Sequence, residues 1–226
     1  MSKLVVEHTA STFEEVYEGG YDKGYPSVDL VRLESWFFNR QPGKALDYGC
    51  GPGTNGLHLL DSGYDVTFTD VAASALKKVQ SKLNVRPEAK SRASVRLIDP
   101  SDDTIPDDDN YYDYVICLSV LSNLGSVGSV KWALQEFSRI LKPHGKMIID
   151  INGIDTTYVH DGQKIEENVF STVPRTGFES DEILMYFPKS REEFIELVRS
   201  VENIVIDDVG HTSFNYHGCD CYEYII

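Results

Sequence analysis

The chain has 226 residues, 41% apolar and 25% charged, a composition that suits one globular domain of generous size. Its 36 acidic against 21 basic residues give a formal charge of −15, a field that repels polyanions and makes nucleic acid and anionic membrane poor partners. No apolar run reaches the roughly 18 residues that span a bilayer. No signal-peptide core opens the chain, and Cys50, Cys117, Cys219 and Cys221 make no disulfide framework, so a cytoplasmic protein is expected.

In chain order, residues 1–42 read as a helical, aromatic arm. Ser11 and Glu14 have capping-box spacing. A second helical piece carries Val28, Val31, Trp36 and Phe37, and the run between, "YEGGYDKGYP", sets Tyr17, Tyr21 and Tyr25 among flexible glycines. From Lys44 strands and helices alternate. "KALDYG" predicts a strand and "TNGLHLLDSG" a helix closed by Gly63; "DVTFTD" predicts the second strand and "ASALKKVQSKL" a helix with Leu76, Val79 and Leu83 on one face. "SVRLID" and "YDYVICLS" predict the third and fourth strands. The acidic run from Asp99 to Asp109 between them reads as a solvated loop. "VKWALQEFSRIL" is an amphipathic helix and "GKMIIDI" the fifth strand. The 152–189 stretch is too long for a plain connection and reads as a lid insertion. Ser190 and Glu193 form a capping box for a helix burying Phe194, Leu197, Val198 and Val201; "NIVIDDVG" and "CYEYII" predict two closing strands.

This alternation predicts one α/β domain, a Rossmann-like doubly wound sheet of about seven strands, mostly parallel with an antiparallel closing strand and flanked by helices. Its cofactor-binding core is 43–151, and 190–226 supply the closing helix and strands. Ligands of such sheets bind beyond the carboxyl ends of the strands, where Asp47 to Gly49, Asp70, Asp99, Leu118 and Asp150 fall.

The glycine loop offers two readings. Gly51, Gly53 and Gly56 spell the dinucleotide fingerprint, which makes an NAD(P)-dependent oxidoreductase the first rival. That reading would put Asp47 inside a strand buried on both faces, at a high desolvation cost. With the strand ending near Asp47, its acid points into the crevice, where it disfavours a pyrophosphate and suits a ligand bearing an ammonium and a sulfonium.

With "LDYGCGPG", Asp70 closing "VTFTD", "DYVICLSVLSNL" and "LKPHGKMIIDI", the sequence from Ala45 to Ile226 resembles the class I S-adenosylmethionine-dependent methyltransferases of small-molecule type. His144 replaces the first glycine of that family's lysine-proline turn. The resemblance implies S-adenosylmethionine as cofactor, bound by Asp47 at its amino group and by Gly49, Gly51 and Gly53 along its methionyl part. Asp70, followed by Val71, would take the ribose hydroxyls, Asp99 the adenine amino group, with Asp102 and Asp103 as alternatives, and Leu118 would lie along the cofactor through its backbone. Arg32 is a candidate for the cofactor carboxylate.

For the methyl acceptor, a small polar metabolite such as a sugar or biosynthetic intermediate, the arm tyrosines Tyr17, Tyr21 and Tyr25 and the 152–189 stretch are the expected walls. His160 and His211 are the candidate bases, and oxygen and nitrogen acceptors both stay open. His217, Cys219 and Cys221 fall short of a metal site because four ligands are needed, so no metal is expected. A non-catalytic module that binds cofactor or a protein partner is the competing class.

Overall fold

The computed structural model of the protein describes residues 3–38, 41–99, 101–216 and 219–226, with backbone alone at 3–5, 214–216 and 219–222. The arm is α1 (Lys3–Glu18), α2 (Val28–Leu33) and one π-helical turn (Glu34–Phe38). The core follows as β1 (Lys44–Tyr48), α3 (Thr54–Asp61), β2 (Asp65–Asp70), α4 (Ala73–Asn84), the short α5 (Pro87–Lys90), β3 (Ala93–Leu97), β4 (Tyr112–Cys117), a 3-10 turn (Leu121–Leu124), α6 (Val127–Ile140) and β5 (Leu141–Asn152). Then come α7 (Thr157–Asp161), β6 (Gln163–Glu166), β7 (Val169–Thr172), β8 (Ile183–Tyr186), α8 (Arg191–Arg199), β9 (Gly210–Tyr216) and β10 (Cys219–Ile225).

One seven-stranded sheet runs β3-β2-β1-β4-β5-β10-β9. The first five strands are mutually parallel, and β10 is antiparallel to both neighbours. The order turns back between β1 and β4, so their carboxyl ends open the crevice that such sheets use for ligands. Apolar layers cover both faces. On one, α6 and α8 bury Val130, Phe137, Phe194 and Val198; on the other, α3 and α4 bury Leu57, Leu60, Leu76 and Val79. Two helix starts are fixed by side-chain caps, Ser126 Oγ accepting from Ser129 N–H at 3.1 Å and Ser190 Oγ from Glu193 N–H at 3.2 Å.

Residues 152–189 hold α7 and a separate three-stranded antiparallel sheet, β6-β7-β8. Phe170, Ile183, Met185 and Phe187 of this piece pack with Phe13 of α1 into a satellite apolar cluster. The insertion and the arm therefore meet over the carboxyl edge of the main sheet.

Two local expectations fail. Ser11 and Glu14 cap nothing, because α1 runs through both; the Glu14 carboxylate instead accepts from Ser74 N–H at 2.9 and 3.1 Å, at the start of α4. "NIVIDDVG" is not a strand: 204–209 is irregular, and the strand begins at Gly210. Val205 is 84% exposed and Asp207 is held by Lys146 Nζ at 2.7 Å. The hairpin register with β10 selects the later segment, and register of this kind comes from the connection rather than from apolar pattern.

Candidate cofactor and acceptor site

A cavity of about 520 Å³ lies at the carboxyl ends of the strands beside the glycine loop, the size of a small-molecule site. Phe13 and Tyr17 of α1 form its roof, and Gly49, Asp70, Val71 and Ser119 belong to its walls. The loop after β1 carries three glycines in the left-handed region, Gly49 at φ 66°, Gly51 at 52° and Gly53 at 83°, where a side chain is strained. A Cβ on Gly49 would meet Val120 Cγ2 at 2.5 Å, one on Gly51 the Tyr17 hydroxyl at 2.7 Å, and one on Gly53 Val79 Cγ2 at 2.7 Å. Gly49 belongs to the cavity wall, Gly51 sits under the arm, and Gly53 packs on α4.

Asp47 corrects the sequence reading. It lies within β1, 2% exposed, and does not line the cavity. Its Oδ2 accepts from Gly56 N–H at 2.8 Å, in the first turn of α3. That bond and the positive end of the helix offset part of the desolvation cost that argued against a buried strand acid. Asp47 thus anchors the loop, and a contact with a cofactor amino group has no support in its geometry.

Asp70 faces the cavity from the end of β2. Its Oδ2 accepts from Gly51 N–H at 2.8 Å and its Oδ1 from Ala72 N–H at 2.9 Å. Each carboxylate oxygen has a second acceptor position, so the pair can also take two hydroxyls. Burial pushes Asp70 up to about 6, against the pull of the Ala72, Gly51 and Val71 N–H groups. Burial pushes Asp47 up to about 7, the Gly56 N–H opposing and the Asp70 charge adding.

Both folded values exceed the unfolded aspartate's of about 3.9, so the native state holds more protons between about pH 4 and 7 and loses stability as pH rises through that window. Asp47→Asn keeps an acceptor for Gly56 and removes one of these titrations. It is expected to flatten the decline by on the order of a few kcal/mol. Urea melts of both proteins across that window check it, and parallel stability curves would reject it.

The remaining candidates separate into groups. Val71 and Asp99 line the cavity, as do Asp102 and Asp103, so the acidic run expected to be solvated forms part of a wall. Asp99 Oδ1 also accepts from Ser101 N–H at 2.8 Å. Leu118 packs in the apolar layer, and the wall is made by Ser119 and Val120 after it. Tyr17 is buried against the loop. Tyr21 packs on it with ring centroids 5.8 Å apart, and Tyr25 is 67% exposed. Three assignments fail on position. Arg32 and His211 line a different cavity, of about 870 Å³, bounded by the amino-terminal part of β5 and the 203–210 segment. His160 is 72% exposed and bonds Asp161. None of the three reaches the glycine-loop cavity.

Ser119 is a wall residue that sequence reasoning missed. It stands at φ 61°, with its N–H donating to Asp150 Oδ1 at 2.6 Å and its carbonyl accepting from Asn123 Nδ2 at 3.0 Å. The run "LSVLSN" carries the residues but not the turn. Among the described residues no group of three or more His, Cys, Asp or Glu could hold a metal ion, and no helix is long and apolar enough to cross a membrane. His217 and the side chains of Cys219 and Cys221 lie outside what is described.

Residues 46–147 match the family model of a methyltransferase domain. An uncharacterized protein of Methanocaldococcus jannaschii is 28% identical over 143 residues, 63% of this chain and 52% of that protein. The ubiquinone biosynthesis O-methyltransferase of Rickettsia akari is 26% identical over 157 residues, 66% of this chain and 59% of that protein. The chain thus spans little more than half the length of these relatives. Two solved structures share the fold. A SAM-dependent methyltransferase from Methanosarcina mazei has TM-score 0.64 and 18% identity, over 80% of this chain and 90% of its own. The 1,6-didemethyltoxoflavin-N1-methyltransferase of Burkholderia thailandensis, solved with 1,6-didemethyltoxoflavin and S-adenosylhomocysteine, has TM-score 0.67 and 15% identity, over 97% and 86%. With the glycine loop and the strand-end Asp70 in this sheet order, the chain matches a methyltransferase domain over residues 46–147 and shares the fold of solved S-adenosylmethionine-dependent methyltransferases.

Proposed function

We propose that the protein binds S-adenosylmethionine in the glycine-loop cavity and methylates nitrogen or oxygen of a small polar molecule. The carrying observation is Asp70: a buried carboxylate that faces the cavity while its remaining acceptor positions suit a ribose diol. Val71, Ile98 and Leu124 give apolar surface beside it for a base, and Asp99 stands at the same end. S-adenosylmethionine supplies a methyl group on a sulfonium that is already a good leaving group. The chain's task is to hold a nucleophile in line and exclude water, and the arm roof of Phe13 and Tyr17 serves that exclusion.

A small acceptor follows from what surrounds the cavity. Net charge of −15 disfavours nucleic acid, and the additions to the core are an aromatic arm and the 152–189 insertion, which meet over the strand ends. Isothermal calorimetry of the full chain with S-adenosylmethionine, S-adenosylhomocysteine and NAD should give binding to the first two and none to the third. NAD binding with silence toward the other two would overturn the proposal. Binding without methyl release to any acceptor would favour the non-catalytic reading.

A further inference from the structure

The 99–109 run carries six aspartates, and repulsion at that density favours a loose, solvated chain. In the fold it is neither loose nor wholly solvated. Residues 101–105 line the glycine-loop cavity, and Ile105 is 3% exposed. A buried segment outside any helix or strand needs other partners for its backbone, and here they are side chains.

Three of them come from α6, at positions 132, 136 and 139, the four- and three-residue spacing of one helix face. Trp132 Nε1 donates to the Asp103 carbonyl at 2.9 Å. Glu136 Oε2 accepts from Ile105 N–H at 2.7 Å, and Arg139 Nη2 donates to the Ile105 carbonyl at 2.8 Å. Ile105 is thus gripped by both of its backbone groups, as a neighbouring strand would grip it. Arg139 Nη1 reaches on to the Asp107 carbonyl and to Asp109 Oδ1, each at 2.8 Å. Arg139 also forks onto Glu136, Nε to Oε1 at 3.0 Å and Nη2 to Oε2 at 2.7 Å. That fork compensates the charge of Glu136, which is 8% exposed. From β3, Arg96 adds a bond to the Pro106 carbonyl at 3.2 Å and an ion pair with Asp107.

Trp132 lines the cavity, whereas Glu136 and Arg139 do not, so their effect on a bound molecule passes through the loop. Resting on the cofactor reading above, we propose that Glu136 and Arg139 are positioning residues for S-adenosylmethionine, setting the 101–105 wall at the base end of the cavity and holding it beside Trp132. The guanidinium suits the task because its donors spread over three nitrogens and meet acceptors in several directions. A lysine ammonium would keep the charge and lose most of those bonds. Without the clamp the aspartates drive the loop outward, the cavity loses a wall, and the indole meets water.

The test uses the full chain carrying Trp36→Phe, which leaves Trp132 as its single tryptophan. Trp36 is 62% exposed and lines the opposite cavity, so the clamp is untouched in this parent. The probe is S-adenosylhomocysteine, followed by calorimetry and by indole emission. Arg139→Gln should raise its Kd about tenfold at a temperature where circular dichroism shows a folded sheet, and should move ligand-free emission to longer wavelength. Arg139→Lys, which keeps the charge, should raise Kd by at least about threefold. Lys146→Gln breaks an ion pair at the opposite cavity and should leave Kd within about twofold. A clamp that serves stability alone would lower Tm and leave Kd and emission where they were. That result, with the probe bound by the parent, would overturn this inference and leave the cofactor reading standing. A raised Kd with unmoved emission would overturn it as well, because the wall would not have shifted. If Arg139→Gln does not fold, Arg139→Lys decides, and a Kd within about twofold of the parent rejects the clamp. Failure of the parent to bind S-adenosylhomocysteine would overturn both readings.

Discussion

Asp70→Ala is expected to weaken S-adenosylhomocysteine binding by about 1.5–3 kcal/mol, roughly 10- to 150-fold, the range for hydrogen bonds to a charged group. The loss has two sources. The proposed ribose acceptor disappears, and the Gly51 and Ala72 N–H groups lose the partner that fixes the loop and the start of α4. The sheet should stay folded, because Asp70 is the last residue of its strand. In the proposed role its ionised form accepts from both hydroxyls, so wild-type affinity should fall as pH drops through about 6, where Asp70 takes up a proton. Calorimetry against pH, with circular dichroism for the fold, checks both parts. An affinity untouched by the substitution would remove Asp70 from the site.

Gly56→Ala is expected to be the more damaging change to the fold. A Cβ there would lie deep inside the contact distance of Phe68 Cε1 and 2.7 Å from Asp47 Oδ2. Phe68 is fully buried in β2, so the ring cannot step aside without moving the apolar layer around it. The intrusion would also push Asp47 off the Gly56 N–H and leave a buried carboxylate without its bond. Overpacking and the lost bond together cost about 3 kcal/mol or more, and for a domain of this size that lowers Tm by about 6–12 °C. Gly24→Ala is the control: its Cβ meets nothing within 4 Å. Differential scanning calorimetry separates the two, and matching transitions would show that α3 packs otherwise.

What was legible in the sequence was local. The turns of the glycine loop and the Ser190–Glu193 cap depend on groups within a few residues, and Asp70 is legible as the last residue of an apolar strand. Asp47 was misjudged because its compensating donor, Gly56 N–H, belongs to the next helix. A desolvation penalty weighed without its partner looked prohibitive. Arg32 and His211 were misplaced because one-dimensional pattern does not say which end of a sheet a segment crosses; both belong to the opposite cavity.

The clasp between α1 and α4 has a kinetic meaning. Both Glu14 carboxylate oxygens hold Ser74 N–H, and the Glu14 carbonyl accepts from Ser74 Oγ at 3.1 Å, at the positive end of α4. Tyr17, one turn further along α1, rests on Gly51. For a ligand that passes under this roof, release is coupled to the opening of these bonds, and residence time then follows how often they open. Tightness at this site is then partly a property of the door, and two ligands with equal contacts would still depart at one shared pace.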